Sequence, residues 1–187
     1  KNYLHNLKTF SNYLDKHKLD IAPQGKTTMA PQIFSEQIKH GAWGITAGAI
    51  NQIQVMFDFG INKVLLANQL LGKSHLETIA SYINQNKNFS FYCFVDSIEQ
   101  FSNIKKNLGD QNLTNPINLL PEVGAENGRT GIRKKEDFLK LINIIGEDSS
   151  KNFTFAGISS YEGIAAVAMK GSNAVHDFCS KIEDIIK

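Results

Sequence analysis

Apolar positions along this chain switch between two spacings. Tyr3, Leu4, Leu7, Phe10 and Leu14 recur at helical intervals, which predicts an amphipathic helix over residues 3–16, inside a leading segment 1–18. Beyond it, short apolar runs near Leu19–Pro23, Trp43–Ala47, Lys63–Ala67, Phe89–Val95, Ile117–Val123 and Phe153–Ile158 read as strands. Helical patterns separate and follow them, near 31–40, 50–59, 74–85, 97–107, 134–145 and 173–186. Ser97, followed by Glu99 and Gln100, reads as a helix start. So does Ser74, which stands at capping-box spacing from Glu77. No internal repeat or low-complexity linker interrupts the alternation.

Strand–helix alternation repeated six times implies parallel strands joined by crossover helices. A doubly wound sheet and a (β/α)₈ barrel both fit. No G-x-G-x-x-G follows the first strand, which weakens the doubly wound reading. The expected fold is therefore α/β, a partial (β/α)₈ barrel of about six βα units, since a full barrel takes about 250 residues. The last helical pattern ends where a seventh strand would begin, so the remaining strands are expected outside this chain. Lys1 in place of an initial methionine is compatible with residues lost upstream.

In a barrel the chemistry gathers at the carboxyl ends of the strands. The unusual residues fall there: Lys26 after the first run, Thr46 at the end of the second, Asn68 and Gln69 after the third. Asp96 follows the fourth run, Glu122 through Arg129 the fifth, and Tyr161, Glu162 and Gly163 the sixth. Lys26 sits in Ile21-Ala-Pro-Gln-Gly-Lys-Thr-Thr-Met-Ala-Pro31, where Pro23 and Gly25 force a change of direction. A lysine amine kept partly desolvated at such a turn has a lowered pKa and can form a Schiff base. A solvated loop lysine is the plain alternative. Gly25-Lys26-Thr27 also looks like the end of a phosphate loop. That motif needs a glycine where Asp20 stands, however, and Pro23 removes a backbone donor.

Composition narrows the classes. With 187 residues, 42% hydrophobic, the chain can build one domain with a sizeable core. Twenty Lys+Arg against 18 Asp+Glu argue against an electrostatic nucleic-acid binder. No apolar run of membrane-spanning length occurs, and the first residues lack the apolar core of a signal peptide. The two cysteines suit a cytoplasmic protein better than a disulfide scaffold: Cys93 reads as a core hydrophobe, and His176 with Cys179 is too small a ligand set for structural zinc.

Pro23-Gln-Gly-Lys-Thr-Thr-Met-Ala-Pro-Gln-Ile-Phe34 resembles the P-H-G-K-T-T-M-A-P-Q-L-F signature of amino-acid deaminases related to D-serine dehydratase and D-threonine aldolase. The similarity continues through Gly41–Thr46, Val64–Leu70, Glu122–Gly124, Gly128–Arg133, Ala156–Ile158 and Tyr161–Gly163. The family comprises fold-type III pyridoxal-phosphate enzymes with an alanine-racemase-like barrel. The resemblance implies that residues 1–187 are the N-terminal part of that barrel, with Lys26 as the Schiff-base lysine of pyridoxal 5'-phosphate. It implies that Arg129 faces the cofactor's phenolic oxygen, that Tyr161 faces the cofactor or acts as a second acid/base, and that Thr46 and Asn68 line the mouth. Arg133 is expected to be solvated at the next helix start, and Trp43 to pack in the core. The expected substrate is a small D-amino acid: D-serine-like β-elimination yields a keto acid and ammonia, and related members cleave a carbon–carbon bond instead. No nucleic acid or membrane partner is implied, and a homodimer is left open. Gln24 replaces the family's histidine and cannot titrate. The relatives' C-terminal β domain, with any zinc ligands, is expected outside this chain, which alone should be a poor enzyme. A catalytically silent pyridoxal-phosphate-binding or remnant protein is the competing reading; a racemase or non-catalytic carrier is a third.

Overall fold

The computed structural model describes residues 2–163 and 173–187. Helix α1 (Asn2–His17) lies outside the core with no buried residue, and its Ser11 hydroxyl donates to the His40 carbonyl. Helix α2 (Pro31–Lys39) begins at Pro31, whose missing N–H costs nothing in a first turn. Strand β1 (Ile45–Ala47), helix α3 (Ile50–Asp58), strand β2 (Lys63–Gln69) and helix α4 (Lys73–Gln85) follow. Then come β3 (Ser90–Val95), α5 (Ile98–Leu108), β4 (Ile117–Val123), α6 (Lys135–Gly146), β5 (Phe153–Phe155) and β6 (Ser159–Ser160). Helix α7 (Ala174–Ile186) ends the described chain.

All strand pairs are parallel, in the order β1-β2-β3-β4-β5, with β6 also on β4. This is the curved sheet of a partial barrel, each neighbour reached through a helix. The run read as a first strand, Leu19–Pro23, is not a regular strand. It nevertheless occupies the edge beside β1: Trp43 N donates to Ile21 O, Thr46 N to Pro23 O and Gly25 N to Thr46 O, each at 2.8 Å. Pro23 cannot donate in return, so the ladder stays partial. The run read as one strand over Phe153–Ile158 is broken. β5 stops at Phe155, Gly157 turns with φ +136, and β6 resumes against the upper end of β4.

Side chains alternate across the sheet. Val64, Leu66, Phe91, Cys93, Val95, Ile117 and Leu119 point toward the helices and are buried. They meet Ile53, Met56, Leu76, Ile79, Phe101, Ile104, Phe138 and Leu141 in one continuous core. Cys93 lies fully inside it, and burial pushes its thiol up to about 12. The other face carries Leu65, Ala67, Tyr92, Phe94, Asn118 and Leu120, all half-buried. Trp43 packs edge-on against Tyr92 there, with the Lys63 ammonium over its ring.

Ser97 caps α5 by accepting from Gln100 N at 3.2 Å. The expected capping box at Ser74 is absent. Gly72, at φ 81, precedes the helix, while Ser74 sits inside the first turn, where its carbonyl accepts from Thr78. The lower end of the sheet is fastened by Asn152. Its Nδ2 donates to Leu108 O, Gly109 O and Gln111 O, tying it to the turn that follows α5. No described helix is long and apolar enough to cross a membrane.

Candidate functional site

The chain between Pro23 and Lys26 is placed by packing beneath it. Gly25 is buried, and a Cβ there would lie 2.6 Å from Met56 Cε, with Ile45 and Phe34 close behind. A larger residue would have to push the Met56 methyl aside and crowd Ile45 and Phe34, so the glycine lets the backbone pass close to the core and delivers the next residue to the carboxyl end of the sheet. Thr46 locks the approach: its hydroxyl donates to Ala22 O at 2.7 Å, and the residue is 4% exposed. Thr46 therefore holds the turn under Lys26 and is not among the residues lining the cavity described next. The aliphatic stem of Lys26 lies over Gly48, where a Cβ would stand 3.3 Å from Lys26 Cδ.

At this end of the sheet opens a cavity of about 590 Å³. Gln24, Lys26 and Thr27 form one side, Ala67 and Phe94 the floor, and Glu122 through Ala125 with Arg129 and Thr130 the far wall. Ser160 and Tyr161 reach it from the end of the strand series. Lys26, Arg129 and Tyr161, distant in sequence, thus share one cavity. All are exposed, Tyr161 at 60%. The partial desolvation expected of Lys26 is not supplied by the described residues. Asn68 lies beside the cavity without lining it. Its Oδ1 accepts from Gln69 N at 3.0 Å, and its Nδ2 reaches toward Gly48 O.

The far wall is a glycine-dependent turn. Gly131 has φ +90, and a Cβ on it would lie 2.5 Å from Gly124 N. Ile132 N donates to Glu122 O and Gly124 N to Ile132 O, folding the turn back onto the end of β4. Arg133, expected to be solvated, instead reaches back into this turn and donates to the carbonyls of Gly128 and Gly131. Helix α6 begins only at Lys135, so Arg133 belongs to the loop and not to a helix surface.

Polar residues without a role assigned from sequence meet under that wall. The register of β2 against β3 shifts between Leu66 and Gln69, and this irregularity aims Gln69 across the sheet. Gln69 Nε2 donates to Asp96 Oδ2 at 3.2 Å and to Glu122 Oε2 at 3.0 Å. Thr130 donates to the other oxygen of Glu122, and Gly131 N to Asp96 Oδ2. Burial pushes the Glu122 carboxyl above the ordinary carboxylate range and Asp96 adds to the push; bonds from Thr130 and Gln69 and the Arg129 charge oppose it. An acid inside the apolar run Ile117–Val123 was the available signal. Its partners were not legible without the β2 irregularity.

His176 and Cys179 are both exposed on α7, and among the described residues no cluster of three or more His, Cys, Asp or Glu could hold a metal.

No family model matches the chain. In sequence it is similar to D-threonine aldolase of Arthrobacter sp, with 24% identity over 158 residues, covering 84% of this chain and 40% of that protein. In structure it is similar to D-threonine aldolase from Filomicrobium marinum, with a TM-score of 0.81 at 22% identity, covering 98% of this chain and 47% of that one. D-threo-3-hydroxyaspartate dehydratase from Delftia sp. HT23 gives 0.75 at 16% identity, with 97% and 46% covered. Alanine racemase from E. faecalis gives 0.74 at 11%, with 96% and 48% covered. The fold is thus part of the α/β barrel that these aldolase, dehydratase and alanine racemase structures share. The chain spans less than half the length of each of these proteins.

Proposed function

We propose that this chain carries the lysine-bearing part of a pyridoxal-phosphate-dependent lyase acting on D-amino acids that bear a β-hydroxyl, D-serine-like substrates included. The observation that carries the reading is the convergence of Lys26, Arg129 and Tyr161 on one cavity at the carboxyl ends of the strands. The names of similar proteins support the substrate class: an aldolase for D-threonine and a dehydratase for D-threo-3-hydroxyaspartate both handle a hydroxyl one carbon from the amino-bearing centre.

The residues present fit such a cofactor. The volume lies within the roughly 300–1,000 Å³ of small-molecule sites. Small residues, Ala67, Gly124 and Ala125, leave the interior open, and Lys26 and Arg129 bring positive charge toward an anionic ligand. Bound pyridoxal phosphate would supply an electron sink for negative charge at the substrate's α-carbon. Lys26 Nζ would hold the cofactor covalently and, when displaced by the substrate amine, take the α-proton. The Arg129 guanidinium would hold the ring oxygen by a charge-assisted hydrogen bond. The Tyr161 hydroxyl, arriving from the other end of the strand series, would hold or release a second proton at the leaving hydroxyl. Phe94 and Ala67 keep the floor apolar.

The test is incubation with pyridoxal phosphate, borohydride reduction and peptide mass analysis. A pyridoxyl group on Lys26 is expected; label on other lysines with none on Lys26 would sink the reading. D-serine and D-threonine are then compared for keto acid plus ammonia against glycine plus aldehyde. Gln24, which lines the cavity and cannot titrate, favours a second reading, a silent pyridoxal-phosphate binder. Labelling without either product, in a protein that carries the remaining length of the relatives, would select it.

A further inference from the structure

The turn that carries Arg129 is gripped from two sides, and one grip has no explanation in the site as described so far. Arg133 holds the turn by its carbonyls. Asp96 holds it by an amide, accepting from Gly131 N at 3.0 Å. Asp96 does not line the main cavity, so it is not placed to touch a ligand there. Nor does it cap α5, a task taken by Ser97. Among the described residues no cation pairs with it. Its carboxylate is nevertheless held in place. Gln100, 5% exposed, accepts from Asp96 N and donates to Phe94 O, each at 3.0 Å, which pins the backbone on both sides of Val95. Gln69 then donates to the same oxygen that receives Gly131.

We propose that Asp96 is a positioning residue that, through the Gly131 amide, sets the orientation of the Gly128–Gly131 turn and thereby presents Arg129 to the cavity. The proposal rests on the reading of Arg129 as a cofactor-facing residue. The path is short and rigid: the capped first turn of α5, Gln100, Asp96, Gly131 and then Arg129 two residues away. Gly131 suits the task because its amide direction follows from a φ of +90, which a side chain would strain. An acceptor at Asp96 fixes one end of the turn while the Arg133 guanidinium fixes both carbonyls. Arg129 lies between these restraints and is free to face outward. Without the carboxylate, the Gly131 amide loses its acceptor and Gln69 retains only Glu122.

The experiment compares Asp96→Ala and Asp96→Asn in the 187-residue chain. Hydrogen–deuterium exchange of peptides covering residues 124–132 is followed without any cofactor. Asp96→Ala should speed exchange in that segment about tenfold, because the opening free energy of a short turn falls with each lost restraint. Asp96→Asn, which keeps an acceptor oxygen, should restore most of the protection. Unchanged exchange in Asp96→Ala, or equal loosening in both variants, would overturn the proposal. Affinity for pyridoxal phosphate, read by absorbance, is then measured for Asp96→Ala, Arg129→Ala and the double variant. Asp96→Ala should lower affinity in the parent and add little once Arg129 is gone, the signature of two residues acting through one contact. Additive losses would overturn the link to Arg129. A parent chain that takes up no pyridoxal phosphate at Lys26, while Asp96→Ala still loosens the turn, would instead refute the cofactor reading alone.

Discussion

The two faces of the sheet are made by the same strands and behave differently. On the helix side, Val64, Leu66, Phe91, Cys93 and Leu119 have essentially no contact with solvent. One residue along, on the inner side, Leu65, Tyr92, Phe94 and Leu120 remain half-open, and the floor of the cavity is drawn from this face. The outer face is a finished core whose shape is fixed by close packing. The cavity is left to the inner face, where polar residues at strand ends have room. The lesson is that burial along one strand separates what holds the fold from what can bind.

Phe91→Ala should therefore cost about 3–5 kcal/mol, the usual loss for a buried phenylalanine, in urea denaturation. Phe94→Ala, on the open face, should cost no more than about 2 kcal/mol, because less surface is recovered from water. Equal losses would erase the distinction between the faces.

Gly131→Ala comes next, at about 2–4 kcal/mol: it combines a strained φ with a Cβ driven into the Gly124 backbone. Denaturation and exchange of the 124–132 segment should fall together. A tolerated alanine would mean that this wall is loosely defined.

The two arginines sharpen the contrast further. Arg133→Ala should destabilise the chain by about 1–2 kcal/mol through two freed carbonyls, read by urea denaturation. Arg129→Ala should leave stability unchanged and weaken pyridoxal-phosphate binding about ten- to a hundredfold, by absorbance titration. Swapped phenotypes would reverse the roles assigned to them.

The smallest effect concerns pH. The Glu122 carboxyl has a raised pKa in the folded chain, so its favourable contribution is present below the ordinary carboxylate range and is lost as pH rises through the raised value. Glu122→Gln has no such loss. The thermal midpoint of the variant, relative to the parent, should improve from pH 4 to pH 8; a constant difference would place Glu122 in a solvated setting.

Much of this organisation was legible in the sequence. The strand–helix alternation located every crossover, and Pro23 with Gly25 marked the turn that presents Lys26. These signals are local: period, turn chemistry, and a motif in which each residue sits near the next. The failures were of other kinds. The Gln69 contacts join residues 27 and 53 positions apart and depend on a register shift that no pattern of hydrophobicity announces. Arg133 was misread because its place just before a helical pattern does not tell whether the side chain faces solvent or turns back onto the Gly128 and Gly131 carbonyls. Ser74 looked like a cap by spacing, but a glycine with positive φ two residues earlier begins the helix. Phe153–Ile158 is continuously apolar apart from Thr154 and Gly157, and the break falls at that glycine.

That break has an evolutionary reading. β4 is bordered by two short strands and not by one long one: Ile117–Leu119 pair with β5, and Glu122–Val123 with β6. The base of the sheet and its mouth are registered separately, with Ala156–Ile158 between them. A residue gained or lost in that link would move Tyr161 around the rim while leaving the pairing of Ile117 with Phe153 untouched. Through descent, the rim can be reshaped by changes of length in this three-residue link, with no revision of the core beneath it.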